Sequence, residues 1–176
     1  MSRKFFTSDL HFGHTNILKY ENRPFKNTDE MDKALIKNWN KVVDKNDEVY
    51  ILGDFSFHRD EEKTLKILQQ LNGRKYLICG NHDNSIFTSH RVRAQFVWLR
   101  PYYKLKVNGI DVVLFHYPIQ VWDCRHHGAI HLYGHIHSNL GNHAMQYEIP
   151  NSYNVGVDVN NYTPISFEEI LEKLGR

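Results

Sequence analysis

Phe5-Phe6-Thr7-Ser8-Asp9-Leu10-His11 is a short apolar run that breaks off into an acid and a histidine, and the pattern recurs four times along the chain. Val49-Tyr50-Ile51-Leu52-Gly53 ends in Asp54. Tyr76-Leu77-Ile78-Cys79-Gly80 ends in Asn81-His82-Asp83. Val112-Val113-Leu114-Phe115 ends in His116, and Ile130-His131-Leu132-Tyr133 is followed by Gly134-His135-Ile136-His137. Short apolar runs bounded by turn residues read as buried strands, and the carboxyl ends of strands are where α/β sheets hold their ligands. Side chains two apart on a strand share a face. Asp9 with His11, and His135 with His137, are therefore each expected to aim a pair at one spot. Gly53, Gly80 and Gly134 sit just before the polar residues, as expected where backbone turns sharply or approaches a ligand.

Between these runs the signals are helical. Asn27-Thr28-Asp29-Glu30 supplies capping chemistry, and Met31, Leu35, Trp39 and Val42 follow at three- and four-residue steps. Asp60 to Leu71 is amphipathic on Leu65, Ile67, Leu68 and Leu71, and Phe167 to Leu174 reads as a last helix. Strands are expected at Lys4–Leu10, Val49–Leu52, Lys75–Cys79, Ile130–Tyr133 and Tyr153–Val159. Tyr102–Val107 and Ile110–His116 flank Asn108-Gly109, which suits a type I′ hairpin turn. Asn84–Arg93, Tyr117–Ala129 and Ser138–Ser152 read as loops. Residues 1–176 form one α/β domain, its sheet mixed because βα units and a hairpin both occur.

Composition narrows the function. Twenty-two Lys and Arg against 20 Asp and Glu give a net charge of +2, far from the basic excess of a nucleic-acid or membrane binder. The apolar runs are too short to span a membrane, no secretory signal opens the chain, and two cysteines suit a reducing cytoplasm. Twelve histidines are the anomaly. Strand ends restricted to Asp, Asn and His form an oxygen-and-imidazole donor set without thiolate. Such a set suits Mn, Fe, Zn, Ni or Co and not a cysteine-rich structural zinc site.

The succession Asp9-Leu10-His11, Gly53-Asp54, Gly80-Asn81-His82-Asp83, His116 and Gly134-His135-Ile136-His137 resembles the calcineurin-like metallophosphoesterases, with Ser8–His14 most like their small single-domain bacterial and phage members. The resemblance implies two mixed β-sheets packed face to face with helices outside. It implies that Asp9, His11, Asp54 and His137 hold one divalent ion, that Asp54 bridges to a second, and that Asn81, His116 and His135 complete the second. Manganese is the expected metal, with Fe, Zn, Ni and Co as alternatives. His82 would face the substrate. The implied reaction is hydrolysis of a phosphomonoester or phosphodiester by a metal-bridging hydroxide. Many members continue the second motif as Gly-Asp-x-x-Asp-Arg, the Asp orienting the catalytic histidine. This chain has Phe57 and His58 at those two positions.

Imidazole titrates near working pH, so His82 is the candidate general acid. With Phe57 in place of a carboxylate, either Asp83 or another acid orients it, or it is a weak acid. His14 and His58 follow the ligand motifs closely and are candidates to touch substrate phosphate, as is Arg125 in the loop before the last motif. A solvated loop is the plainer reading of Arg125-His126-His127. His90, His131 and His143 read as structural, and Asp158 and Tyr162 as residues that fix the terminal strand and turn. The expected partner is a small phosphorylated substrate. The alternatives are a non-catalytic interaction module on the same fold, and a nuclease, against which the near-neutral charge argues.

Overall fold

Strand alternation builds two cores from one set of strands. The computed structural model describes residues 2–138 and 149–176. In chain order the elements are β1 (Lys4–Thr7), α1 (Ile17–Tyr20), α2 (Thr28–Val42), β2 (Glu48–Ile51), α3 (Glu61–Gln70), β3 (Arg74–Ile78), α4 (Asn84–Thr88), α5 (His90–Arg93) and β4 (Leu99–Arg100). There follow β5 (Tyr102–Val107), β6 (Ile110–Phe115), β7 (Ile130–Tyr133), β8 (Ser152–Asn154), β9 (Ile165–Ser166) and α6 (Phe167–Lys173). Phe5, Val49, Ile51 and Leu77 turn outward to meet Met31, Leu35 and Trp39 of α2 and Leu65 and Leu68 of α3. Phe6, Tyr50, Leu52, Tyr76 and Ile78 turn inward to meet Leu105, Val107, Val112, Leu114, Ile130 and Leu132 of a second sheet. Strands apolar at every position suit burial on both faces.

The first sheet runs β4-β3-β2-β1-β9 and the second β5-β6-β7-β8. Both are mixed. β1 to β4 are parallel, and β9 returns antiparallel along the free edge of β1, pairing Phe6 with Ile165 and Phe5 with Ser166. In the second sheet the β5–β6 hairpin turns at Asn108-Gly109, both at positive φ as a type I′ turn requires. β6, β7 and β8 are parallel. Trp122 and Ala129 cover Val113 on the outer face of that sheet. The two sheets and their flanking helices match the architecture expected. No helix among the described residues is long and apolar enough to cross a membrane.

Three expectations need correction. β1 stops at Thr7 and not at Leu10, because Asp9 and His11 both adopt left-handed backbone, at φ 55° and 53°. The strand expected over Tyr153–Val159 ends at Asn154. There Asn160 donates to the Asn154 and Gly156 carbonyls, and the chain turns into a 3-10 helix over Val157–Val159. Asn84–Arg93 is not a loop but α4 and α5, the latter capped by Ser89, which accepts from the Val92 N–H at 3.1 Å. Buried Ile86 and Val92 anchor them to the core. Most of the expected loop at 138–152, with His143, lies outside the described residues.

Candidate metal centre

The segments after β1 and β2 run side by side beyond their strands. The Asp9, His11 and Phe12 N–H groups donate to the Gly53, Asp54 and Phe55 carbonyls at 3.1, 3.0 and 3.0 Å. Asp9, His11, Asp54, His135 and His137 all have positive φ. Such backbone costs a non-glycine residue on the order of 1–3 kcal/mol and clusters at functional sites. A Cβ on Gly134 would collide with Ser8 and Asp9, and one on Gly80 with the Asp54 carboxylate. These two glycines are where the segments come closest.

Five segments thus bring their polar ends together. Ligand atoms of Asp9, His11 and His137 lie within 4.8 Å of one another, as do those of Asp9, Asp54 and His116. Asp54 Oδ2 is 3.6 Å from His11 Nε2 and 3.8 Å from His116 Nε2, between the two groups. Asn81 Oδ1 stands 2.9 Å from His116 Nε2 and 3.1 Å from His135 Nδ1. The strand-pleat expectation holds for Asp9 with His11 but not for His135 with His137. The latter two diverge, His135 toward Asn81 and His137 toward Asp9 and His11.

Groups behind the ligands fix their orientation, as outer partners of metal-binding histidines do. His116 Nδ1–H donates to the Leu52 carbonyl at 2.6 Å, and His137 Nδ1–H to Asp158 at 2.8 Å. The His135 N–H donates to Asp9 Oδ2 at 2.9 Å. Burial pushes the Asp9 carboxyl up to about 6, with neighbouring His137 and His116 opposing. Burial holds the His11 imidazole well below its ordinary pKa, and lowers His135 too. At His137 burial acts the same way, but the Asp158 hydrogen bond and the Asp9 charge outweigh it and raise the pKa.

The donor set fits a divalent cation on the geometry itself. Asp9 Oδ1 and His11 Nε2 are buried with no hydrogen-bond partner among the described residues. His116, its Nδ1 proton engaged by Leu52, turns its Nε2 lone pair toward the Asn81 oxygen. Buried acceptors without donors are costly, and a cation among them removes that cost.

His82 is exposed beside this cluster, 6.1 Å from the His11 ring and 4.8 Å from Phe57, centroid to centroid. Its backbone N–H donates to Asp54 Oδ1 at 2.9 Å. Asp83 does not orient it. That carboxylate is fully buried and accepts from the Asp54, Phe55 and Gly80 N–H groups at 3.0, 2.9 and 2.8 Å, tying the second motif to the third. Phe57 lies parallel to His14 at 3.9 Å, and His14 Nδ1 is 3.1 Å from His11 Nδ1. His58 Nε2 pairs with Asp32 of α2 at 3.0 Å, and the other oxygen of Asp32 accepts from the Gly13 N–H. Arg125 stands over the Trp122 ring at 5.1 Å, and none of its contacts is to the cluster.

Sequence reasoning missed Arg23, whose side chain is fully buried, and gave Asp158 only a local role. Arg23 binds both Asp158 oxygens, at 2.7 and 2.8 Å, and donates to the Asp9 and Leu10 carbonyls at 2.7 and 2.9 Å. Neither residue carries a local sequence signal, since 135 positions separate them.

A family model described as calcineurin-like phosphoesterase matches residues 3–104. An uncharacterized protein of Methanocaldococcus jannaschii is 38% identical over 177 residues, covering 98% of this chain and 91% of that protein. The crystal structure of a protein of unknown function from Aquifex aeolicus aligns with a TM-score of 0.78 at 28% identity, over 98% of this chain and all of that one. An archaeal phosphodiesterase shares the fold, with a TM-score of 0.51 at 15% identity over 88% of this chain and 82% of its own.

Proposed function

The chain belongs to the calcineurin-like phosphoesterase family, and from that premise we propose that it hydrolyses a small phosphomonoester or phosphodiester at a centre of two divalent ions. The observation that carries this reading is the pair of ligand groups that share Asp9, with Asp54 Oδ2 within 4 Å of a histidine of each, and with Asp9 Oδ1 and His11 Nε2 buried and without a hydrogen-bond partner among the described residues. Asp9, His11, Asp54 and His137 would hold one ion, and Asp54, Asn81, His116 and His135 the other. Manganese is the proposed metal. The ions, when bound, supply Lewis acidity and a water acidic enough to act as nucleophile at neutral pH.

The chain's own residues do the rest. His82 gives a proton to the leaving-group oxygen. Its backbone is fixed by Asp54, while its ring has Phe57 beside it and no carboxylate partner among the described residues. His11, if its Nε2 faces an ion, must donate its Nδ1 proton to His14. That leaves His14 with an Nε2–H to offer a phosphoryl oxygen. His58, engaged by Asp32, braces the Gly13 turn instead of reaching the substrate. The two cysteines are unpaired, as suits the reducing cytoplasm we propose as its compartment.

The test is chelation followed by Mn²⁺ addition, assayed on phosphomonoesters, cyclic nucleotides and short oligonucleotides. Activity should vanish on chelation and return with Mn²⁺. Full turnover by metal-free protein would refute the reading.

A further inference from the structure

Arg23 and Asp158 lie outside the five strand ends, yet their contacts converge on one half of the centre. All five guanidinium N–H groups of Arg23 can be accounted for. Nε and one Nη2 proton go to Asp158, the other Nη2 proton to the Asp9 carbonyl, and Nη1 to the Leu10 carbonyl and the Met31 sulfur. Asp158 Oδ2 takes a further hydrogen bond from His137 Nδ1 at 2.8 Å, with the Asp158 side chain 2% exposed. One buried arginine therefore joins the left-handed Asp9 segment to the carboxylate behind left-handed His137. Asp9, His11 and His137 are the three residues of one ligand group. Asp9 belongs to the other group as well, but its remaining members are braced elsewhere, His116 by the Leu52 carbonyl and Asp54 by Asp83.

We propose that Asp158, clamped by Arg23, is a positioning residue that holds the proton of His137 on Nδ1 and so sets the metal affinity of the Asp9–His11–His137 half alone. This rests on the metal-dependent reading above. The chemistry is one of donors and acceptors. A carboxylate can only accept, so His137 must present Nδ1–H to it and turn the Nε2 lone pair to the ion. Arg23 grips both Asp158 oxygens, so an asparagine, with a single oxygen, cannot satisfy Arg23 and His137 together. With its amide in the place of Oδ2 it faces His137 as a donor, which moves the imidazole proton to Nε2 and blocks coordination.

The test uses the full chain with ¹⁵N-labelled histidine. Metal-free wild type and Asp158→Asn are compared by NMR at mildly alkaline pH, and both are titrated calorimetrically with Mn²⁺. We expect the Nδ1–H tautomer at His137 in wild type and Nε2–H in Asp158→Asn. One Mn²⁺ site should weaken by about 10–100-fold, the range for outer partners of metal-binding histidines, with the other unchanged. In a His137→Ala background the same change should add no further loss. Unaltered tautomer and isotherm in Asp158→Asn, or equal weakening of both sites, would overturn the proposal. Should the variant not fold, the wild-type spectrum still decides, since Nε2–H at His137 contradicts it outright. Wild type that takes up no Mn²⁺ overturns the metal-dependent function itself and the affinity claim with it, an outcome distinct from a normal isotherm insensitive to Asp158.

Discussion

The two sheets make unlike contributions to the site between them. The first sheet, through the ends of β1, β2 and β3, supplies both carboxylates, Asp9 and Asp54, together with His11 and Asn81. The second, through β6 and β7, supplies imidazoles alone: His116, His135 and His137. Hydrogen bonds cross between them, from the His135 N–H to Asp9 and from His116 to the Leu52 carbonyl. One wall brings the carboxylates and the other brings imidazole nitrogen, so a cation between them would be gripped only when the sandwich is closed. The family model, at residues 3–104, covers Asp9, His11, Asp54 and Asn81 and ends within β5, before the three imidazoles of the second sheet.

The largest effect should come from Asp54→Ala. Activity should fall by at least about 10⁴-fold, the upper end for a lost proton-transfer group, because both ions go. His135→Ala, on the opposite wall, should retain one ion by elemental analysis. Equal metal loss in the two variants would break the division between the walls. His82→Ala comes next, slowing turnover of alkyl esters by about 10²–10⁴-fold with metal content intact. A p-nitrophenyl diester should suffer less, because its leaving group needs no proton and no carboxylate among the described residues buttresses His82, which has Phe57 beside it. Equal losses on both substrates would mean that His82 binds phosphoryl oxygen instead.

Chelation tests whether the ions join the walls. Metal at about 1,000 times its dissociation constant adds roughly 4 kcal/mol. For a chain of this size its removal should lower Tm by about 8–16 °C in calorimetry. An unchanged Tm would mean that the sandwich closes without them. The smallest effect is assigned to His131 on β7, which is no ligand but is fully buried, its pKa pushed down by burial to about 4. Its folded pKa lies below its unfolded one, so its contribution is complete above about pH 6.5 and is lost as pH falls toward 4. That amounts to about 3 kcal/mol. Urea unfolding of His131→Gln should show a flatter acid limb than wild type, and a parallel limb would exclude His131 as the cause.

The sequence made the carboxylate wall readable because each of its ligands closes a continuous apolar strand, and apolar runs ending in Asp, Asn or His need only local reading. The Asn108-Gly109 turn was legible for the same local reason. Direction was not legible. Strand periodicity put His135 and His137 on one face, whereas both lie beyond the strand in left-handed backbone, where that periodicity no longer holds, and they part toward Asn81 and toward Asp9. Asp83 looked like a buttress for His82 because the two are adjacent in the chain. Its carboxylate is instead consumed by three amides of two other segments. Arg23 and Asp158 were hidden by distance, since only folding brings a turn after α1 against the 3-10 helix after β8.

The return of β9 to the edge of β1 guards against self-association. Ile165 and Ser166 cover the outer backbone groups of Phe5 and Phe6, and Phe167 and Ile170 of α6 are buried behind them. A chain cut after Pro164 would keep every metal ligand and still bare this edge, with two phenylalanines on the strand. Open edges of that kind recruit strands from other molecules. Light scattering should register the truncated protein as aggregates long before its site chemistry could be assayed.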